Sequence, residues 1–269
     1  MKICYENSGI EFFSGLPEKN LKSHIKGWTR RDLTIVPVTE QNCLVIACDS
    51  CGGIGVKDSD VLKIPPRYAA KFTARVALTE VLCSGALPVT ITNGAACEMK
   101  PTGEEIILGI NDELKNAGIT DIVLTGSTEE NFTTHMTALA ITVIGIAKES
   151  KLRFGCAESG DKLILFGIPC VGDEVDLESA GFYMEIKALL HMAEVKEIVP
   201  VGSKGVAYEA ETIAELNNVV LKLYETEIDC FKSAGPATCL LILCGESAVD
   251  KVLSLCSAAT VIGEIQWIC

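Results

Sequence analysis

Two apolar patterns recur along the chain. Unbroken aliphatic runs read as buried strands: Asn42–Cys48 (NCLVIAC), Val89–Ala95, Asp121–Thr125 and His135–Ala147, then Lys162–Gly167, Thr238–Cys244 and Val261–Ile265. Segments with apolar residues three and four apart read as helices. One spans about Arg67 to Ser84, opened by Pro65-Pro66 and stopped by Gly85, with Phe72, Val76, Thr79 and Cys83 on one face. A second spans Pro101–Gly118, and others fall within Leu177–Val195, Ala207–Leu223 and Ser247–Leu255. Residues 1–31 carry Gly9, Gly15, Pro17 and Gly27 and read as an irregular arm. Strands alternate with helices on both sides of residues 148–152. This predicts an α/β (α+β) fold in two lobes, 1–150 and 151–269.

Composition narrows the chemistry. Lys and Arg number 23 against 36 Asp and Glu, a formal charge of −13. That field repels a polyanion, so nucleic acid is not an expected partner. The start of the chain has no apolar export segment, and the longest apolar run, Thr137–Ala147, is about half the ~20 residues a membrane helix needs. Thirteen scattered cysteines fit a reducing compartment. A cytoplasmic protein with no membrane contact is expected. The P-loop, dinucleotide, zincin and GxSxG patterns are absent. Cys48 and Cys51 form a lone CxxC with no second pair to complete a metal site, and are expected to be buried or incidental thiols.

Two features remain. The run Lys19–Arg31 (KNLKSHIKGWTRR) holds Lys19, Lys22, Lys26, Arg30 and Arg31 without an acid. It is either a phosphate-closing arm or a solvated basic face against an acidic subunit. Asp32, Asp49, Glu80 and the TGSTEEN turn (Thr125–Asn131) place carboxylates and hydroxyls at element ends, the oxygen donors that Mg²⁺ with a nucleotide requires.

The order of these motifs resembles the aminoimidazole ribonucleotide synthetase (PurM-like) superfamily, which includes selenophosphate synthetase, thiamine-monophosphate kinase and the hydrogenase maturation dehydratase. ALTEVLCSGALPVTITN (Ala77–Asn93) is similar to its helix-and-strand motif, with Thr79-Glu80 where Asn-Asp is usual. CDSCGGIG (Cys48–Gly55) resembles the Thr-Asp-Gly-rich motif, and TGSTEEN the Gly-Gly-acid-Thr motif, with Ser127 in the acid's place. GDKLILFGIPCVGDEV (Gly160–Val175), VPVGSKGVAYEA (Val199–Ala210) and IGEI (Ile262–Ile265) resemble second-lobe segments.

The resemblance implies a ferredoxin-like first lobe that pairs with its copy in a homodimer, with ATP and Mg²⁺ in the groove between the lobes. It implies Asp32, Asp49, Glu80 and Glu129 as metal ligands. Lys19, Arg30, Arg31, Gly126, Ser127, Thr128 and Asn131 would contact the nucleotide, and Asp49, Lys22 and Lys26 would act in catalysis. The expected reaction is phosphoryl transfer from ATP to a hydroxyl of a nucleoside-like small molecule. The subgroup most resembled is α-ribazole kinase of cobamide lower-ligand salvage. The alternatives are another ATP-using member, like aminoimidazole ribonucleotide synthetase or thiamine-monophosphate kinase, and a non-catalytic nucleotide-binding regulator.

Overall fold

The structure, a computed structural model, describes residues 26–266. Strands β1 (Trp28–Arg30), β2 (Leu33–Pro37), β3 (Asn42–Gly52), β6 (Leu87–Ala95), β7 (Val123–Ser127) and β8 (Ala138–Lys148) form a sheet in the order β1-β2-β3-β8-β6-β7. All its pairings are antiparallel except β6 with β7. Two short strands, β4 (Ile54–Gly55) and β5 (Leu62–Lys63), pair beside it.

Helices α1 (Pro66–Cys83) and α2 (Glu104–Asn116) cover one face of this sheet. Pro66 fits the first turn of α1, where its missing N–H would have no partner, and Gly85 at φ +85° turns the chain into β6. The two helices cross closely at Gly109, where a Cβ would stand 1.9 Å from the Arg67 carbonyl oxygen.

In the second lobe, β9 (Lys162–Gly167), β10 (Val195–Pro200), β11 (Val220–Leu223), β12 (Cys239–Cys244) and β13 (Thr260–Gln266) form an antiparallel sheet in the order β10-β12-β9-β13-β11. Helices α3 (Tyr183–Leu190) and α5 (Val249–Leu255) pack on one face and α4 (Gly205–Asn217) on the other. All six residues of β12 are therefore buried. No helix among the described residues is long and apolar enough to cross a membrane.

The sequence pattern misses four strands that position the site. Residues 28–30, assigned to the irregular arm, pair as β1 with β2, which has no aliphatic run long enough to stand out. Val195–Pro200 lies within and beyond the end of an expected helical stretch but forms β10 on the sheet edge. The expected helix at Ala207–Leu223 ends at Asn217, where Asn218 takes a left-handed conformation at φ 53°, and the rest becomes β11. The strand expected to end at Cys48 continues to Gly52, so Asp49 lies within β3.

The lobes are joined by polar bonds as well as apolar contact. Buried Glu113 of α2 receives both branches of the Arg75 guanidinium, at 2.6 and 3.1 Å, and the Tyr183 hydroxyl at 2.6 Å. Arg75 also donates to Ser179, and Lys71 to the Leu177 carbonyl at 2.7 Å. These bonds hold the 171–182 segment of the second lobe against α1.

Candidate functional site

A cleft of about 650 Å³ opens between the lobes. The end of β3, the 61–64 segment and α1 supply one wall; residues 171–177, 200–203 and 235–237 supply the other. Asp32, Asp49 and Glu80 line its polar end, and all three also line an adjoining space of about 290 Å³.

Each acid reaches this place through a different local device. Asp32 is carried by the two-residue turn between β1 and β2, in which Arg31 takes the left-handed conformation at φ 52°. That conformation is uncommon for a side chain with a Cβ, and it is held by contacts from both lobes. Arg31 donates to Glu80 of α1 at 3.0 and 3.2 Å, to Glu209 of α4 at 3.4 Å and to the Pro200 carbonyl at 3.5 Å. Burial works against its charge, but the surrounding carboxylates raise its pKa. The preceding residue, Arg30, bonds the Leu216 carbonyl at 3.0 Å and pairs with Glu197 of β10 at 3.6 Å. Its guanidinium also lies 5.3 Å from the centre of the Phe154 ring.

Asp49 projects from β3 on the side that carries buried Val45 and Ala47, but beyond the covered core. Burial pushes its pKa up to about 6, and the charge of Asp32 adds to the rise. Burial likewise raises Glu80, with Asp32 and Glu209 adding and the Arg31 pair opposing. Asp32 and Asp49, which have no ion-pair partner among the described residues, thus border the cleft with like charges that call for a cation.

The glycine-rich loop after β3 is pinned by buried Asp60. One of its oxygens accepts the Lys57 N–H at 2.8 Å and the Thr137 hydroxyl at 2.8 Å, and the other accepts the Thr137 N–H at 2.7 Å. Gly55 permits this closure, since a Cβ there would lie 2.2 Å from the Thr137 hydroxyl oxygen.

The structure brings together only part of the expected constellation. Asp32, Asp49 and Glu80 meet at the cleft, but Glu129 does not join them. Its carboxylate caps its own turn, accepting the N–H groups of Asn131 at 2.7 Å and Phe132 at 3.3 Å. Among the described residues no three His, Cys, Asp or Glu side chains are grouped to hold a metal ion. The four carboxylates expected to form one shell are thus not gathered in this structure: Glu80 is bound to Arg31, and Glu129 lies in a separate turn.

Gly126, Ser127, Thr128 and Asn131 also lie outside the lining of the cleft. Gly126 and Ser127 end β7 beside Asn93 and Gly94, and the Thr128 hydroxyl donates to Glu130 at 2.8 Å. Arg30 and Arg31, expected as nucleotide contacts, instead tie the lobes together, because buried Glu80, Glu197 and Glu209 demand their charge. Lys26 is exposed beside β1, while Lys19 and Lys22 lie outside the described residues. Glu197 and Glu209 are missed by sequence reasoning: Glu197 falls between the expected helical stretches, and Glu209 reads as an ordinary acid on a helix. The CxxC thiols stand three residues apart on β3 and therefore project from opposite faces, so they cannot share one ion.

Comparison with known proteins agrees with this architecture. Residues 30–147 match the family described as AIR synthase related protein, N-terminal domain. No curated protein matches the chain by sequence. Among solved structures, T. maritima PurL complexed with FGAR superposes with a TM-score of 0.67 at 12% identity, covering 87% of this chain and 43% of that one. T. maritima PurL complexed with ATP gives 0.67 at 14% identity, covering 87% and 42%. E. coli HypE, a hydrogenase maturation protein, gives 0.62 at 18%, covering 84% and 80%. The chain spans less than half the length of the PurL chains it matches and most of HypE. Its fold is therefore the two-lobed PurM-like α/β fold, with residues 30–147 similar to the AIR synthase-related N-terminal domain.

Proposed function

We propose that the chain is an ATP- and Mg²⁺-dependent phosphotransferase acting on a hydroxyl of a small nucleoside-like acceptor, with α-ribazole the first compound to test. The observation that carries this reading is the meeting of Asp32 and Asp49 at one end of the inter-lobe cleft with no ion-pair partner among the described residues. Mg²⁺ is commonly held by one or two carboxylates together with phosphate oxygens and water, so this donor set fits a metal–nucleotide chelate better than a preformed protein cage. The nucleotides present in T. maritima PurL structures support the same choice.

In this reading Asp32 and Asp49 would hold the metal, which bridges phosphates and neutralises the charge that develops on transfer. Asp49 is the residue most sensitive to the ion, since a bound cation offsets the burial that raises its pKa. Arg31 takes no part in transfer; it neutralises Glu80 and keeps the Asp32 turn wedged between the lobes. The arm lysines Lys19, Lys22 and Lys26 would close over the phosphates, and the 126–131 turn would contribute backbone and hydroxyl groups after moving toward the cleft.

The outer face of the first sheet supports a homodimer. There Leu44, Ile146 and Leu87 are cross-strand neighbours, as are Ile46 and Ile144, and none is buried. A second reading, a nucleotide-binding regulator without turnover, draws on the commitment of Glu80 to Arg31 and the missing third ligand. Transfer of labelled γ-phosphate from ATP to α-ribazole separates the two. The enzyme reading expects product with the parent protein and a loss of at least about a hundredfold with Asp49→Asn. Equal turnover by that variant would remove Asp49 from the chemistry.

A further inference from the structure

The cleft's polar end is small, and the rest of it is apolar. Ile54, Val61 and Ile64 from the first lobe and Phe72 and Val76 from α1 face Leu177 and its neighbours from the second. A space of about 650 Å³ with such walls is of the size that takes a drug-sized organic molecule.

The charges around it are one-sided. The charged side chains that line the cleft are Asp32, Asp49 and Glu80, and no Lys, Arg or His is among the described lining residues. Among the described residues, the cations on the surrounding elements are engaged in contacts of their own. Lys57 holds Glu98 at 2.5 Å, Lys71 the Leu177 carbonyl at 2.7 Å and Lys232 Glu174 at 2.8 Å. Arg31 and Arg75 are held by Glu80, Glu209 and Glu113. The exposed Lys204 ammonium, beside lining residue Ser203, sits 4.0 Å over the ring of Tyr208, which raises its pKa together with the charges of Asp32 and Glu209. An anionic group on the acceptor would have to break one of these pairs or remain desolvated beside carboxylates, and both are costly.

Resting on the phosphotransferase reading of the same cleft, we propose that the acceptor is an apolar, ring-bearing molecule that carries no phosphate or carboxylate of its own. The apolar walls bury the ring, and a neutral or positively charged polar end lies toward the acids. This sets the chain apart from an enzyme whose acceptor arrives already phosphorylated.

Three probes with one ring test this on the full chain by calorimetric titration without nucleotide: 2-naphthylmethanol, 2-naphthylmethylamine and 2-naphthyl phosphate. The neutral and cationic probes are expected to compete for one site and to bind at least about tenfold more tightly than the phosphate. Val61→Lys adds a cation at a rim position that is 87% exposed. It should narrow or reverse that order, which locates the site in the cleft. The proposal is overturned if the phosphate binds as tightly as the others, if no probe binds, or if Val61→Lys leaves the order unchanged. The outcome is separable from the nucleotide reading. Stabilisation by ATP with Mg²⁺ alongside preferred binding of the phosphate probe would sink this proposal alone. The expected order of probes without any effect of ATP and Mg²⁺ would sink the nucleotide reading alone.

Discussion

The two sheets are built from similarly apolar strands and end in different states. In the second lobe β12 reads CLLILC, and helices close over both its faces: Leu241 and Leu243 meet the α4 side, and Leu240 and Ile242 meet the α3 and α5 side. In the first lobe β8 reads ALAITVIGIAK and is as apolar on either side, yet burial alternates along it because α1 and α2 cover one face only. Apolar character on two faces thus marks two demands for cover. The second lobe meets both within the chain, and the first leaves Leu44, Ile46, Ile144 and Ile146 short of full burial. The candidate acids lie where neither arrangement applies, at the seam, where two arginines and three glutamates replace apolar packing.

The largest effect is expected at that seam. Arg31→Ala leaves Glu80 buried without its partner and should cost about 3–5 kcal/mol in chemical denaturation, with part of the loss restored by adding Glu80→Gln. A loss below about 1 kcal/mol would mean that the pair is not buried in solution. The contrast between the sheets is sharpened by a matched pair of variants. Leu241→Ala opens a cavity in a doubly covered strand and should cost about 2–5 kcal/mol. Ile144→Lys, on the open face, should leave the folded subunit within about 1 kcal/mol of the parent and abolish self-association in sedimentation. A parent protein that sediments as a monomer at all concentrations would break the comparison.

The smallest effect concerns pH. Asp49 has a folded pKa raised from 3.8 to about 6, so between those values the folded state binds more protons than the unfolded one and this residue's contribution falls as pH rises. Asp49→Asn removes that slope, so the variant's melting temperature should gain on the parent's from about pH 4 to pH 6. Parallel curves would place Asp49 in water.

Much of this architecture was legible in the sequence because the core strands are continuous aliphatic runs and α1 has proline and glycine at its ends. The short edge strands were not, since β1 and β2 gain their structure from pairing across a two-residue turn and β10 and β11 from docking on a sheet already formed. Asp32, Asp49 and Glu80 were found from their order along the chain, and they do share the cleft. Their partners were not found: nothing local distinguishes Glu209 from any helical glutamate, and only the folded chain brings it to Arg31. The same limit applies to Arg30 and Arg31, whose basic run reads as a ligand for phosphate although buried carboxylates lie against both in the folded chain.

The central claim is that the cleft holds a metal–nucleotide chelate through Asp32 and Asp49. Thermal unfolding with Mg²⁺ alone, ATP alone and both together tests it most directly. The account predicts stabilisation that needs both, about 2.7 kcal/mol at ~100 times the dissociation constant, and its loss in the Asp32→Asn, Asp49→Asn double variant. No shift at saturating ATP and Mg²⁺, or an equal shift in that variant, would contradict it.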